Sequence, residues 1–237
     1  MLGQLRVPSY KEGEDGAYTR PGRTSASEAL RREGVAMPHE PIGILGAAAG
    51  PVARAAWRDD DRVVAVDWRD NELGPVSRAT AYRLGGTLHR AFMVLLVDES
   101  GRFVLARRSA HKRLWPMFWA DSCAGHPGPG QGVWEAASKR TREELGCSLD
   151  IVKPFGRFEY KAHYGDLGCE HELCYVLVGR TRDDVVPDPA EVAEIGIYSP
   201  EQLVQQLEER PDDFAPWLRE CFSVFPPESL AAEMSGR

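Results

Sequence analysis

The chain has 237 residues, 43% of them hydrophobic and six of them Trp, which suits one ordinary domain with extra sequence or two small domains. A net charge of −7 argues against a general nucleic-acid surface and leaves room for a local basic pocket that takes a small anion. The five Cys (123, 147, 169, 174 and 221) lack disulfide-framework and C-x-x-C spacing, and no leader pattern or membrane-length apolar run is present, so a cytoplasmic protein with free thiols is expected.

Residues 1–58 are rich in Gly, Pro, Ser, Ala and mixed charge, and read as a flexible N-terminal extension. Within it, 25–32 has the pattern of a short helix, and 42–49 is apolar enough to dock on the folded domain. From residue 59 the pattern is that of one mixed α/β domain reaching residue 230, with 231–237 as a tail. Residues 63–66 read as a strand, followed by a turn at 71–74. The β-branched runs 91–97 and 102–106, separated by Asp98-Glu99-Ser100-Gly101, read as a hairpin. A helix is predicted over 131–144 from Val133, Ala136, Ala137 and Leu145 at near-helical spacing, closed by Gly146. Two more strands are expected at 155–162 and 170–179. Ser199-Pro200-Glu201 signals the start of a helix over 199–209, and a last helix is expected at 214–225.

The most informative stretch is Trp115-Pro116-Met117-Phe118-Trp119-Ala120-Asp121-Ser122-Cys123-Ala124-Gly125-His126-Pro127. It resembles the active-site segment of type I isopentenyl-diphosphate isomerases, a branch of the Nudix superfamily, which reads Trp-Pro-x-x-Trp-Thr-Asn-Ser-x-Cys-Gly-His-Pro. The length is the same, with Ala124 in the place of the cysteine and Cys123 one step early. The resemblance implies a Nudix-type α/β/α sandwich with a mixed β-sheet. Nudix hydrolases carry G-x5-E-x7-R-E-U-x-E-E-x-G. Anchored on Glu143-Glu144-Leu145-Gly146, this chain has Gly125 in first position, Gln131 for the first Glu and Lys139-Arg140 for Arg-Glu. Hydrolysis is therefore not expected. Type I isomerases have a similarly reduced box, in which Glu144 matches the glutamate that binds Mg²⁺ together with the substrate diphosphate. By itself, the charge run around Glu144 also reads as a solvated helix end with ordinary ion pairs.

Three further pieces could meet at one metal. His89 lies at the entry to an apolar strand, His126 closes the Trp115–Pro127 stretch, and Glu170-His171-Glu172 sits on another strand. Strand alternation puts Glu170 and Glu172 on one face. Two adjacent carboxylates repel unless a cation or a proton intervenes. The resemblance matches His89, His126, Glu170 and Glu172 to metal ligands, holding a second divalent ion (Zn²⁺, Mn²⁺ or Mg²⁺) beside the Mg²⁺ carried with the diphosphate. A further ligand His of the family falls at Tyr82, with His163 as a possible substitute. Arg108 and Lys112 match diphosphate-binding residues, and Arg78 falls where another basic residue is expected; cationic forks suit such a group. Tyr160 matches a tyrosine that assists proton transfer, and Trp217 a tryptophan whose face stabilises a carbocation. Trp119 reads as packing.

Moving a double bond along an allylic unit needs a proton added on one face and another removed from the opposite face. The resemblance gives one face to Glu172 with Tyr160 and the other to the cysteine. Ala124 cannot transfer a proton, which leaves Cys123 as the candidate catalytic thiol if the backbone turns it inward; in an extended segment neighbouring side chains face opposite ways. The implied activity is isopentenyl-diphosphate Δ-isomerase with an altered proton shuttle, acting on a small isoprenoid diphosphate, without nucleic acid or a membrane span. Two alternatives stand beside it. One is a cyclase- or lyase-like enzyme that protonates a prenyl diphosphate with Glu172 and Tyr160 alone. The other is a catalytically silent diphosphate-binding protein.

Overall fold

The computed structural model describes residues 44–46 and 61–235, of which 44–46 and 235 are described by backbone alone. Its centre is β4 (His89–Val97), a strand with no polar side chain beyond its first two residues. Alternation along β4 divides the interior in two. Ala91, Met93, Leu95 and Val97 enter one apolar cluster, and Phe92, Val94 and Leu96 enter the other. β9 (Gly168–Arg180) lies parallel to β4, with His89 opposite Glu172 and Leu96 opposite Gly179. β8 (Ile151–Tyr164) continues the sheet antiparallel to β9, pairing Tyr160 with Glu172 and Ala162 with Glu170. β2 (Arg62–Val66) and β3 (Glu72–Ser77) form a hairpin that touches β4 at Ala65 and His89.

On the other side, β5 (Phe103–Arg108) pairs with β4 only at Leu96↔Val104 and Val97↔Phe103. It then departs to pair with β10 (Val192–Tyr198), which carries β1 (Ile44–Gly46) on its outer edge. Where β4 and β5 part, β6 (Trp119–Ala120) lies on β5 and β7 (Cys123–Gly125) on β4. The fork is what makes room for a site.

Helices cover both faces. After a short turn of helix, α1 (Arg78–Ala81), the helix α2 (Val133–Leu145) packs Ala136, Ala137 and Leu145 against Phe92, Val94 and Leu96. α3 (Pro200–Glu209), α4 (Pro216–Val224) and α5 (Pro227–Ser235) bury Leu203, Leu218, Cys221 and Leu230 with the other cluster. The Ser199 capping box that starts α3 is formed, with Gln202 reaching back to the Ser199 backbone. This is the α/β/α sandwich with a mixed sheet expected from the motifs.

Several expectations shift. The turn placed at 71–74 occurs earlier, because the Asp67 carboxylate accepts the backbone N–H groups of Arg69 and Asn71 at 2.9 Å and tightens the chain there. The strand has resumed by Glu72. The tail expected over 231–237 is helical through Ser235, since Ala231 and Met234 are buried in the core. Of the segment 42–49, expected to dock, Ile44–Gly46 pairs antiparallel with β10. The helix expected at 25–32 lies outside the described residues, as does the rest of 1–58. No helix among the described residues is long and apolar enough to cross a membrane.

Gly146 ends α2 at φ +66°, and a Cβ there would meet Val186 O at 2.6 Å. Gly130 has φ +74° with nothing within 4 Å of a Cβ. Gly130→Ala is expected to cost only the left-handed backbone penalty, about 1 kcal/mol. Gly146→Ala should cost clearly more, lowering the thermal midpoint further by roughly 2–4 °C per additional kcal/mol. Equal midpoints for the two variants would contradict this account of the helix end.

Candidate active site

A cavity of about 450 Å³ opens at the fork, lined from several elements by Tyr160, Glu170, Glu172, Ala124, His126, Trp217, Arg108, Lys112 and Glu144. The volume lies in the usual range for a small-molecule site. The predicted residues converge because the pairing of β4, β8 and β9 sets His89, Glu172 and Tyr160 side by side.

At one end the groups are suited to a metal. His89 is fully buried; its Nδ1 donates to Thr87 O at 2.7 Å, which leaves Nε2 buried without a hydrogen-bond partner among the described residues. That orphan nitrogen lies 3.7 Å from Glu172 Oε1, and His126 Nε2 lies 2.8 Å from the same oxygen. One ligand atom from each of His89, His126 and Glu172 falls within 4.8 Å of the others, the arrangement of two imidazoles and a carboxylate around an ion. Burial, with His126 adding to it, pushes His89 down to about 4 and keeps its ring neutral. A neutral imidazole with its second nitrogen tied to a carbonyl is what ligation requires.

Glu170 and the tyrosines complete this end. Glu170 stands apart from the triad; burial and the neighbouring Glu172 push its carboxyl up to about 8. Burial works the same way on Glu172, but the imidazoles of His126 and His89 outweigh it and hold the group below its ordinary range. The Tyr160 hydroxyl lies 2.8 Å from Glu172 Oε2 and 3.1 Å from Glu170 Oε2, and burial holds it firmly protonated, so it donates. Tyr82 takes the corner where a further His was expected: its hydroxyl is 3.2 Å from His126 Nε2. His163 does not substitute. It pairs with Cys169 across β8 and β9, one residue out of phase with Ala162 and Tyr160, and its Nε2 lies 3.8 Å from Cys169 Sγ.

The other end is basic. Arg108 donates through Nε and Nη2 to Trp115 O and Leu114 O at 2.9 Å, and its guanidinium lies 5.0 Å from the Trp217 ring centroid. Lys112 is bonded to Glu191 and lies 3.8 Å from Glu144, while Arg140 contacts both Glu144 and Glu191. Glu144 is 6% exposed, so the solvated-helix-end reading of that residue is set aside. Arg78 lines the cavity mouth, 3.4 Å from Asp61. Trp119 packs against Tyr198, as expected.

The thiol expectation needs correcting. Cys123 pairs across β7 with Val94, shares the α2-side cluster with it, and is 2% exposed. Burial drives its ionisation well above the ordinary thiol value. Ala124, opposite Met93, is the residue that lines the cavity. Strand alternation thus turns Cys123 away from the main cavity. Sequence reasoning missed Glu191, which no motif marks and only the β10 approach delivers. It also passed over Asp121, which departs from the Asn of the pattern: its Oδ1 accepts the Trp217 Nε1–H at 2.7 Å.

Comparison with known proteins identifies the family. The NUDIX domain family model matches residues 87–220. The isopentenyl-diphosphate Delta-isomerase of Nocardia farcinica is 39% identical over 173 residues, 73% of this chain and 97% of that protein. Those of Brevibacterium linens (37%, covering 70% of this chain and 92% of that one) and Haloarcula marismortui (44%, covering 55% and 72%) are similar. The structure of DR0079 from Deinococcus radiodurans shares the fold, with a TM-score of 0.53 at 21% identity over 63% of this chain and 90% of that one. The chain belongs to the NUDIX-domain proteins and, within them, to the isopentenyl-diphosphate Delta-isomerase family.

Proposed function

We propose that this chain interconverts isopentenyl and dimethylallyl diphosphate by a 1,3-allylic proton shift. The observation that carries the reading is the placing of a buried Glu172–Tyr160 pair and a basic Arg108–Lys112 end in one cavity, in a chain with isomerase relatives of 34–44% identity. The cyclase-like and silent alternatives are not favoured by those relatives.

The geometry supports a role for each residue. Arg108, Lys112 and Arg78 would receive the diphosphate, and Glu144 would hold the Mg²⁺ that accompanies it. Trp217 presents its ring to the cavity, where Arg108 already lies over it, and the same attraction would steady a carbocation. Tyr160 orients Glu172, and the two form the proton-handling group of one face. The family uses a divalent ion, and His89, His126 and Glu172, with Glu170 next to them, suit Zn²⁺, Mn²⁺ or Mg²⁺. An ion there would supply a fixed positive charge beside Glu172 and favour its ionised form.

Incubation with isopentenyl diphosphate and Mg²⁺ in D₂O should yield deuterated dimethylallyl diphosphate. Glu172→Gln should slow turnover by about 10²- to 10⁴-fold. Recovery of unlabelled substrate alone from the native chain would sink the assignment.

Metal removal gives a separate check. With ion at about 100 times its Kd, linkage is worth about 2.7 kcal/mol, so chelation should lower the thermal midpoint by roughly 5 °C or more. Re-addition of Zn²⁺, Mn²⁺ or Mg²⁺ should restore it, and His89→Ala should abolish the difference. A midpoint indifferent to chelator in the native chain would argue against a resident ion.

A further inference from the structure

Asp121 is a buried carboxyl with no part in the isomerase roles assigned to Glu172, Tyr160 and the basic end. It is 2% exposed; Oδ1 accepts from Trp217 Nε1, and Oδ2 is buried with no hydrogen-bond partner among the described residues. Leaving a buried carboxyl oxygen unpaired is costly, and such groups call for a reason. Holding the indole is not reason enough. The amide oxygen of an Asn, which the family pattern has at this position, would accept the same N–H bond without burying an acid.

A second observation lies three residues on. A small cavity of about 30 Å³ is lined by Asp121, Ser122, Cys123 and Ala124, together with the charged groups Arg108, Lys112, Glu144 and Glu191. It has room for one water and the polar partners to keep it. Ala124 lines this cavity and the main one alike, so the methyl that replaces the family's thiol sits where the two adjoin.

Resting on the isomerase reading, we propose that Asp121, acting through one water beside Ala124, takes over the proton-accepting role of the absent thiol on the face opposite Glu172. On the Glu172–Tyr160 face, the hydroxyl proton of Tyr160, held against ionised Glu172, passes to the terminal alkene carbon. The water takes the allylic proton as one of its own passes to Asp121 Oδ2, and the electrons of the broken C–H bond become the new double bond. Asp121 then releases its proton, and the acid face recovers one, by exchange with solvent.

The surroundings suit a base that works near neutrality. Asp121 is faced by Trp217 and Cys221 from α4, Cys174 from β9, Cys123 from β7, Arg108 from β5 and Glu144 from α2. Burial, despite the Trp217 hydrogen bond, pushes its carboxyl up to about 7. The thiols around it are no rivals, since burial drives Cys123, Cys174 and Cys221 well above the ordinary value.

The test compares the native chain, Asp121→Asn, and the double variant Asp121→Asn/Ala124→Cys, which restores the family's pair. Native turnover should rise with pH through about 7, as Asp121 ionises. Asp121→Asn should lose about 10²-fold or more in kcat with KM little changed. The double variant should recover turnover without the limb near 7, which also shows that the Asn chain folds. A single variant that keeps its rate, or keeps that limb, overturns the proposal. An inactive native chain beside an active double variant overturns it too, while leaving the pocket an isomerase pocket. If neither turns over, the isomerase reading falls with it.

Discussion

Everything at this site depends on two carboxylates buried side by side on one face of β9. Glu170 and Glu172 are each less than a tenth exposed, and their mutual repulsion in a dry setting has to be met by protons or cations. The structure meets it asymmetrically. Glu172 is set against His126 and His89 and held ionised, whereas Glu170 is pushed toward its protonated form beside Tyr160 and Tyr82. The asymmetry is a consequence of register. In parallel pairing with β4, Glu172 rather than Glu170 falls opposite His89, and β8 then brings Tyr160 across from the same residue. One residue of slip would turn both carboxylates out of the cavity.

The same strand logic decides what has become of the second proton-handling face. β7 lies against β4 with Ala124 beside Met93 and Cys123 beside Val94, and those two β4 residues belong to opposite cores. A thiol moved by one position in sequence is thus moved through the sheet. It ends among Phe92, Val94 and Leu145, where it behaves as a small apolar side chain. No rotation short of breaking the β7 ladder brings it back. Among the side chains between Trp119 and Gly125 that line either cavity (Ala120, Asp121, Ser122, Cys123 and Ala124), Asp121 is the carboxyl, which is why the proposed base falls on it. Ser122 is spent structurally, donating to Val104 O and accepting from Leu96 N.

Much of this was legible in the chain before folding, and for identifiable reasons. The β4 and β5 strands announce themselves as apolar, β-branched runs around Asp98-Glu99-Ser100-Gly101, α2 by its apolar spacing and closing Gly146, and α3 by Ser199-Pro200. The metal triad and the Arg108–Lys112 pair were legible only through the family motifs, since an isolated His or a basic cluster carries no such meaning. What escaped was what only tertiary pairing decides. β6 and β7 are two and three residues long, below any periodicity signal. Glu191 reaches the site because β10 runs antiparallel to β5, a pairing no local pattern declares. Asp121 was visible as a departure from the motif, but its burial and its bond to Trp217, 96 residues away, were not.

The basic end has a built-in cost for any anion that would enter it. Lys112 and Arg140 are already engaged by Glu144 and Glu191, and Glu191 is held ionised by those cations against the opposing effect of burial. A bare anion entering here would have to displace these carboxylates and would leave them buried without partners, which costs more than the exchange returns. A diphosphate that brings its own divalent cation changes the balance. Glu144 would then have the cation as a replacement partner while Lys112 and Arg108 would engage the phosphate oxygens, so no buried charge would be orphaned in either state. On the proposed reading, the cost of breaking these internal pairs would favour metal-bound diphosphate over free phosphate, and the net charge of −7 on the whole chain would act in the same direction.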